Sequence, residues 1–307
     1  MFGSRYTALT FDKLAQSTGV RVIYVDRPGF GGSTPVALEQ RVQVWLETVP
    51  VLLQRLEVKH VALCTHSAGT IYTLNTMLHH RNILSPIAPY VAFMAPWVHS
   101  EHSQVALTTA LSKLPSGFIS PWSDIATFIN TKIVPAASLS GGIFSTIANV
   151  FQTGSPTINT DMQDKYGDEE TGKQIEKLQT KYMFAESMAG GTEEARLCLK
   201  SDGEGLMGAC ENYERYVEVL RDQEKKEGRN DGGPKLKVSL HFAESDALIG
   251  KGGKEYFEKC WKQDGVGEVI ETDSTEYPGT NHDSVLIDFN KGALKRIFEA
   301  IASAHQG

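Results

Sequence analysis

Val61-Ala62-Leu63-Cys64-Thr65-His66-Ser67-Ala68-Gly69-Thr70 starts as an apolar, strand-like run, breaks off at a serine followed by small residues, and continues as a helix-like segment. A strand that turns straight into a helix must hold one residue at positive φ, and small neighbours let the two elements approach closely. The same strain lifts a serine Oγ clear of the backbone, where a base can reach it. Two later stretches carry the groups that such a serine needs. Leu240-His241-Phe242-Ala243-Glu244-Ser245-Asp246 ends a strand-like alternation in acids, and Tyr277-Pro278-Gly279-Thr280-Asn281-His282-Asp283 places a histidine in a loop ahead of the last helix. A serine hydroxyl is a poor nucleophile until an imidazole takes its proton, and the imidazole in turn needs an acid to hold its tautomer. The plain alternatives are a serine that caps the following helix and a histidine that merely starts one.

Serine, acid, histidine is the chain order of the α/β-hydrolase triad, distinct from the orders in trypsin-like and subtilisin-like enzymes. Upstream, Val20-Arg21-Val22-Ile23-Tyr24-Val25-Asp26-Arg27-Pro28-Gly29-Phe30-Gly31-Gly32-Ser33-Thr34 resembles that family's Asp-Arg-Pro-Gly-x-Gly-x-Ser turn. On these residues the chain resembles an α/β-hydrolase over nearly its whole length apart from the middle. One departure is Thr65, which stands where the first glycine of Gly-x-Ser-x-Gly is usual and crowds the turn with a β-branched side chain.

The resemblance implies an α/β fold: a mostly parallel sheet flanked by helices, with an inserted helical cap. It implies Ser67 as nucleophile, His282 as base and Asp246 as orienting acid, with Glu244 and Glu101 as alternative acids. Asp273 and Asp283 are expected at the surface, and His66 beneath the turn. The oxyanion hole would use the backbone N–H of Ala68. Matching Gly3-Ser4-Arg5 to the end of the family's His-Gly loop puts the second donor at Met1 or Phe2. Family members have three further strands before the first helix, one of them lying between the strands at residues 20–25 and 61–64. Those two strands are therefore expected to be poorly paired or forced together, whether the chain is truncated or a short variant.

Composition is that of an ordinary globular protein. The 307 residues include 22% charged and 41% hydrophobic types, enough for one large domain or a core with an insertion. A formal net charge of −7 argues against a general nucleic-acid binder. Cys64, Cys198, Cys210 and Cys260 lack metal-ligand spacing and are expected as buried free thiols. The longest apolar stretch, residues 83–98, is interrupted by Pro86, Pro89 and Pro96, so no membrane span is expected. No signal-peptide pattern opens the chain, and a cytoplasmic protein is the default expectation. Gly29, Gly31 and Gly32 do not form a phosphate-binding loop, and His79-His80 and His99/His102 lack supporting ligands. No metal and no cofactor is expected; the expected partner is a small-molecule substrate.

Periodicity predicts helices at residues 6–17, at 42–56 with a kink or break at Pro50, from the serine to His80, at 254–262 and at 284–304. Strands are expected at residues 20–25, 61–64, 90–94, 235–242 and 268–271, a grammar of parallel sheet and crossover helices. Between about Trp97 and Pro234 the pattern turns helical, for example at 125–134, 174–188 and 213–222. Residues 1–97 and 235–307 are expected as the core, and 98–234 as cap and linker. Phe118, Trp122, Phe128, Phe144, Phe151, Met183, Phe184 and Met188 are expected mostly as cap core. The expected function is a serine hydrolase of small or medium, fairly apolar esters, thioesters or lactones. A carbon–carbon hydrolase, an aminopeptidase or a catalytically impaired binding protein would leave similar marks. A serine nucleophile weighs against the dehalogenase and epoxide-hydrolase branches of the family, which use aspartate.

Overall fold

The computed structural model describes residues 4–112, 162–227 and 233–304. Met1, Phe2, the helix expected at 125–134, and Phe118, Trp122, Phe128, Phe144 and Phe151 lie outside the described residues, as does the side chain of Phe184.

Four strands, β1 (Leu63–His66), β2 (Tyr90–Met94), β3 (Leu236–Ser245) and β4 (Ile270–Asn281), form one sheet in the order β1-β2-β3-β4. Every pairing is parallel. All five residues of β2 are buried, as a strand covered by helices on both faces requires. The period-two alternation sorts its side chains between two cores. Val91 and Phe93 join Leu46, Leu53, Ile71 and Leu74, from helices α2 (Arg41–Arg55) and α3 (Gly69–His79). Tyr90, Ala92 and Met94 join Phe11 and Leu14 of helix α1 (Ala8–Thr18) on the other face. Across the middle of the sheet runs a buried polar chain: Tyr90 OH to Ser239 Oγ at 2.6 Å, Ser239 Oγ to His241 Nε2 at 3.0 Å, and His241 Nδ1 to the Tyr277 hydroxyl at 2.9 Å.

Between β2 and β3 the described helices are α4 (Ser100–Ser103), α5 (Ala106–Ser112), α6 (Met162–Tyr166), α7 (Glu169–Ala185), α8 (Ala189–Leu199) and α9 (Tyr213–Lys226). Helix α9 packs on the main core. The Tyr216 hydroxyl donates to the Leu74 carbonyl at 2.7 Å, and buried Glu224 pairs with Arg81 at 2.7 Å. After β3 come α10 (Gly250–Trp261), α11 (Val266–Val269), α12 (Ser284–Ile287) and α13 (Leu294–Ser303). No described helix is long and apolar enough to cross a membrane.

Several expectations are corrected. Residues 20–25 join no ladder among the described residues, and β1 is bonded on one side only, apart from a single bridge from Val61 to Leu84. The segment still keeps a strand's alternation. Val20, Val22 and Tyr24 pack with Ala62 on one core, while Ile23 packs with Leu63 on the other. A strand needs a neighbour to bond to, and these two segments have none in common. Cys64, expected to be buried, is exposed on this open edge, whereas Cys198, Cys210 and Cys260 are buried; all four are free thiols.

Helix α2 runs through Pro50 without a break. Proline offers no N–H to the Leu46 carbonyl, but His80 Nε2 donates to it at 2.8 Å. Residues 266–269 are helix, and β4 begins only at Ile270. The expected final helix is two helices, because Asp288 Oδ1 accepts the amides of Asn290 and Lys291 and turns the chain between them.

Candidate active site

Strand β1 ends at His66 and α3 begins at Gly69, leaving Ser67 at φ 54°. Few non-glycine residues adopt such a backbone, and here the surroundings hold it. The Ser67 N–H donates to the Met94 carbonyl at 3.2 Å, and the Ser67 carbonyl accepts the amides of Thr70 at 2.9 Å and Trp97 at 3.3 Å. The turn is thus tied to the end of the neighbouring strand. Thr65 is accommodated by a matching absence: a Cβ on Gly69 would lie 2.2 Å from Thr65 Oγ1. The Ala68 amide makes no hydrogen bond to a described residue.

Strands β3 and β4 deliver the acid and the histidine side by side. Their register runs to Ala243 opposite Tyr277 and resumes at Ser245 opposite Asn281, so β4 contains a bulge around Pro278-Gly279-Thr280. Asp246 and His282 each follow the last pair directly.

The structure brings Ser67, Asp246 and His282 together. His282 Nε2 lies 2.9 Å from Ser67 Oγ, and Nδ1 lies 2.8 Å from Asp246 Oδ2. A carboxylate only accepts, so Nδ1 carries the proton and Nε2 presents its lone pair to the serine hydroxyl. The other Asp246 oxygen accepts the amides of Leu248 and Ile249, both at 2.9 Å. Burial alone would raise this carboxyl; the charge and hydrogen bond of His282 and the two amides outweigh it and hold it below its usual value. Ser67 and His282 are buried.

The alternative acids lie elsewhere. Glu244 is exposed and its Oε2 accepts the Gly279 amide at 2.7 Å, inside the bulge. Glu101 is exposed on α4, facing His99. Asp273 and Asp283, expected at the surface, are half-buried. Asp283 and His66 place donor atoms within 4.8 Å of His282, the one described grouping with metal-ligand character. Both nitrogens of His282 are already engaged, so in this arrangement the group offers a cation no complete ligand set.

Three features were not legible beforehand. His66 reaches the His282 loop through its Nε2, 2.7 Å from the His282 carbonyl. Arg27 and Arg41 converge on one buried carboxylate, Glu194 of α8, with Arg27 bidentate and Arg41 at 3.5 Å. Arg5 likewise pairs with Asp26 and with Glu186. Arg27 and Asp26 stand in the Asp-Arg-Pro-Gly turn, but nothing in the sequence marks their carboxylate and arginine partners far along the chain.

No protein-family model and no curated protein sequence matches the chain. Solved structures do. An F128A mutant of an epoxide hydrolase from Bacillus megaterium, complexed with its product, superposes with a TM-score of 0.54 at 9% identity, covering 100% of this chain and 90% of that one. An esterase from Exiguobacterium antarcticum gives 0.51 at 13% identity over 97% and 87%. A haloalkane dehalogenase from Agrobacterium tumefaciens C58 gives 0.50 at 12% identity over 94% and 84%. At these identities the likeness is one of fold: the chain has the α/β-hydrolase fold.

Proposed function

We propose that this protein is a serine hydrolase acting on small or medium, fairly apolar esters, thioesters or lactones through Ser67, His282 and Asp246. The observation that carries the reading is one imidazole bonded at both nitrogens, to Ser67 Oγ at 2.9 Å and to Asp246 at 2.8 Å. In the first step Ser67 Oγ attacks the substrate carbonyl while its proton passes to His282 Nε2, and Asp246 stabilises the imidazolium. The Ala68 amide, free of other described partners, receives the developing oxyanion, and the second donor is assigned to Met1 or Phe2. The tetrahedral intermediate collapses, the leaving group takes the His282 proton, and an acyl-Ser67 ester remains. Water, deprotonated by His282, then repeats the attack and releases the acid. Residues 98–234 are assigned as the cap and linker, with the Arg27–Glu194 pair joining helix α8 to the turn at residues 26–34.

The test is labelling with a fluorophosphonate, read by intact mass and peptide mapping, beside turnover of chromogenic esters. One adduct on Ser67 is expected, absent from Ser67→Ala, with turnover lost in that variant and strongly reduced in Asp246→Asn. An unlabelled wild-type serine would sink the reading. A second reading, a hydrolase-like binding protein without turnover, draws on the one-sided pairing of β1, the strand that carries Ser67. It would give a folded protein that the probe does not modify.

A further inference from the structure

We propose that His66 is a positioning residue that fixes where the His282 imidazole stands relative to Ser67. The inference rests on the hydrolase reading above and adds a residue to it. His282 follows the last residue of β4, in a short loop in which the amides of Asn281, Asp283 and Ser284 are already held. Asn281 Oδ1 accepts the amides of Asp283 at 3.2 Å and Ser284 at 2.9 Å, and Ser284 Oγ accepts the Asn281 amide at 2.7 Å. The His282 carbonyl is held from outside the loop, by His66 Nε2 at 2.7 Å. The two rings also touch, with centroids 4.8 Å apart and planes inclined by 57°.

His66 is covalently joined to Ser67. The path Ser67, His66, His282 carbonyl, His282 ring and back to Ser67 Oγ therefore closes on itself through one peptide bond and two hydrogen bonds. Any shift of the histidine loop away from the turn must break one of them. Geometry of this kind matters, because misplacing a reacting group by about 1 Å costs roughly 100-fold in rate.

The tautomer follows from the partner. A carbonyl cannot donate, so His66 Nε2 carries the proton and Nδ1 is left as a lone pair. That Nδ1 is buried without a partner among the described residues. An orphaned polar atom is a cost that a leucine here would avoid, so packing alone does not account for a histidine. Burial, and next the neighbouring His282, push the His66 imidazole well below its usual pKa. It stays neutral while His282 gains a proton during the reaction, and the tie to the carbonyl persists through that step.

The experiment compares His66→Leu, which fills the space without a donor, with His66→Gln, whose carboxamide N–H can reach the carbonyl. His66→Leu should lower kcat and the rate of phosphonylation of Ser67 by roughly 100-fold with KM little changed. His66→Gln should recover most of that loss. In the NMR spectrum, the downfield proton shared by His282 Nδ1 and Asp246 should broaden or shift in His66→Leu and return in His66→Gln. Should His66→Leu not fold, His66→Asn, whose amide is too short, takes its place. A kcat within about twofold of wild type in the donor-less variant, against that 100-fold expectation, overturns the proposal. So does a glutamine variant no better than it, or an unchanged His282 resonance. The last readout needs no turnover. A failure of the hydrolase reading, seen as an unlabelled wild-type Ser67, is thereby told apart from a failure of this one.

Discussion

At the scale of single residues, Thr65 and Gly69 show how a departure from a motif is absorbed. The hydroxyl of Thr65 occupies the space that a side chain on residue 69 would need, with only 2.2 Å between Oγ1 and a hypothetical Cβ. The glycine two residues after Ser67 is thus required by the threonine two residues before it. Gly69→Ala should reduce stability and Ser67 reactivity, and Thr65→Ala in the same chain should restore much of both. Denaturant midpoints of the two single variants and the double variant form a cycle; simple additivity would mean that the two sites do not share this space. Ser67, Asp246 and His282 were legible because their order along the chain and their places at the ends of apolar runs are local signals. The half-burial of Asp283 and the reach of His66 were not, since both depend on how the histidine loop folds back over the turn. Cys64 was misjudged for a related reason: its neighbours in sequence are those of a buried strand, whereas it is exposed on a strand that pairs on one side only among the described residues.

At the scale of elements, the bulge in β4 sets the distance between acid and histidine. Had the register continued unshifted from Ala243 opposite Tyr277, Ser245 would face Gly279, and His282 would stand two residues, about 6.6 Å, further along. Gly279 adopts φ 70°, and its amide is taken by Glu244 at 2.7 Å. Glu244, a rival for the acid on sequence, thus ties down the bulge that brings His282 to Asp246. Glu244→Gln, which keeps an accepting oxygen, should leave turnover near wild type. Glu244→Ala should lower it by roughly tenfold, as expected for a displacement of well under 1 Å. Equal damage from both would point to a role for the charge itself. Strands β2 and β3 were legible from continuous or alternating apolar residues. Strand β4 was legible only at its start: the run Glu271-Thr272-Asp273-Ser274-Thr275-Glu276 that continues it is polar, and pairing with β3 makes it a strand. A break at Pro50 does not occur: the carbonyl that proline leaves unsatisfied finds a partner in His80, thirty residues on.

At the scale of the whole molecule, buried neutral imidazoles make stability depend on pH. His241 is buried between the Tyr277 hydroxyl and Ser239 Oγ, and burial, with Arg296, pushes its pKa down to about 3. An unfolded histidine titrates near 6.5, so below that pH the unfolded chain binds a proton that the folded one refuses. The contribution is therefore complete above about pH 6.5 and shrinks by about 1.4 kcal/mol per pH unit as pH falls toward the depressed value. Urea midpoints at pH 6.5, 5.5 and 4.5 should fall steadily, and His241→Gln should flatten the slope; a slope unaltered by that change would refute the assignment. The parallel sheet could be anticipated from the alternation of strands and helices, but the one-sided pairing of β1 among the described residues depended on a resemblance rather than on any local pattern. That one-sided pairing bears on how the protein is assayed. Strand β1 has four residues and one bonded neighbour among the described residues, and the turn bearing Ser67 hangs from its end, whereas β2, β3 and β4 pair with one another beyond it. A circular-dichroism signal or a symmetrical elution peak certifies the larger body and is nearly blind to those four residues. Competence of the serine and integrity of the fold are separate quantities in this molecule, and each preparation has to be titrated for the first as well as checked for the second.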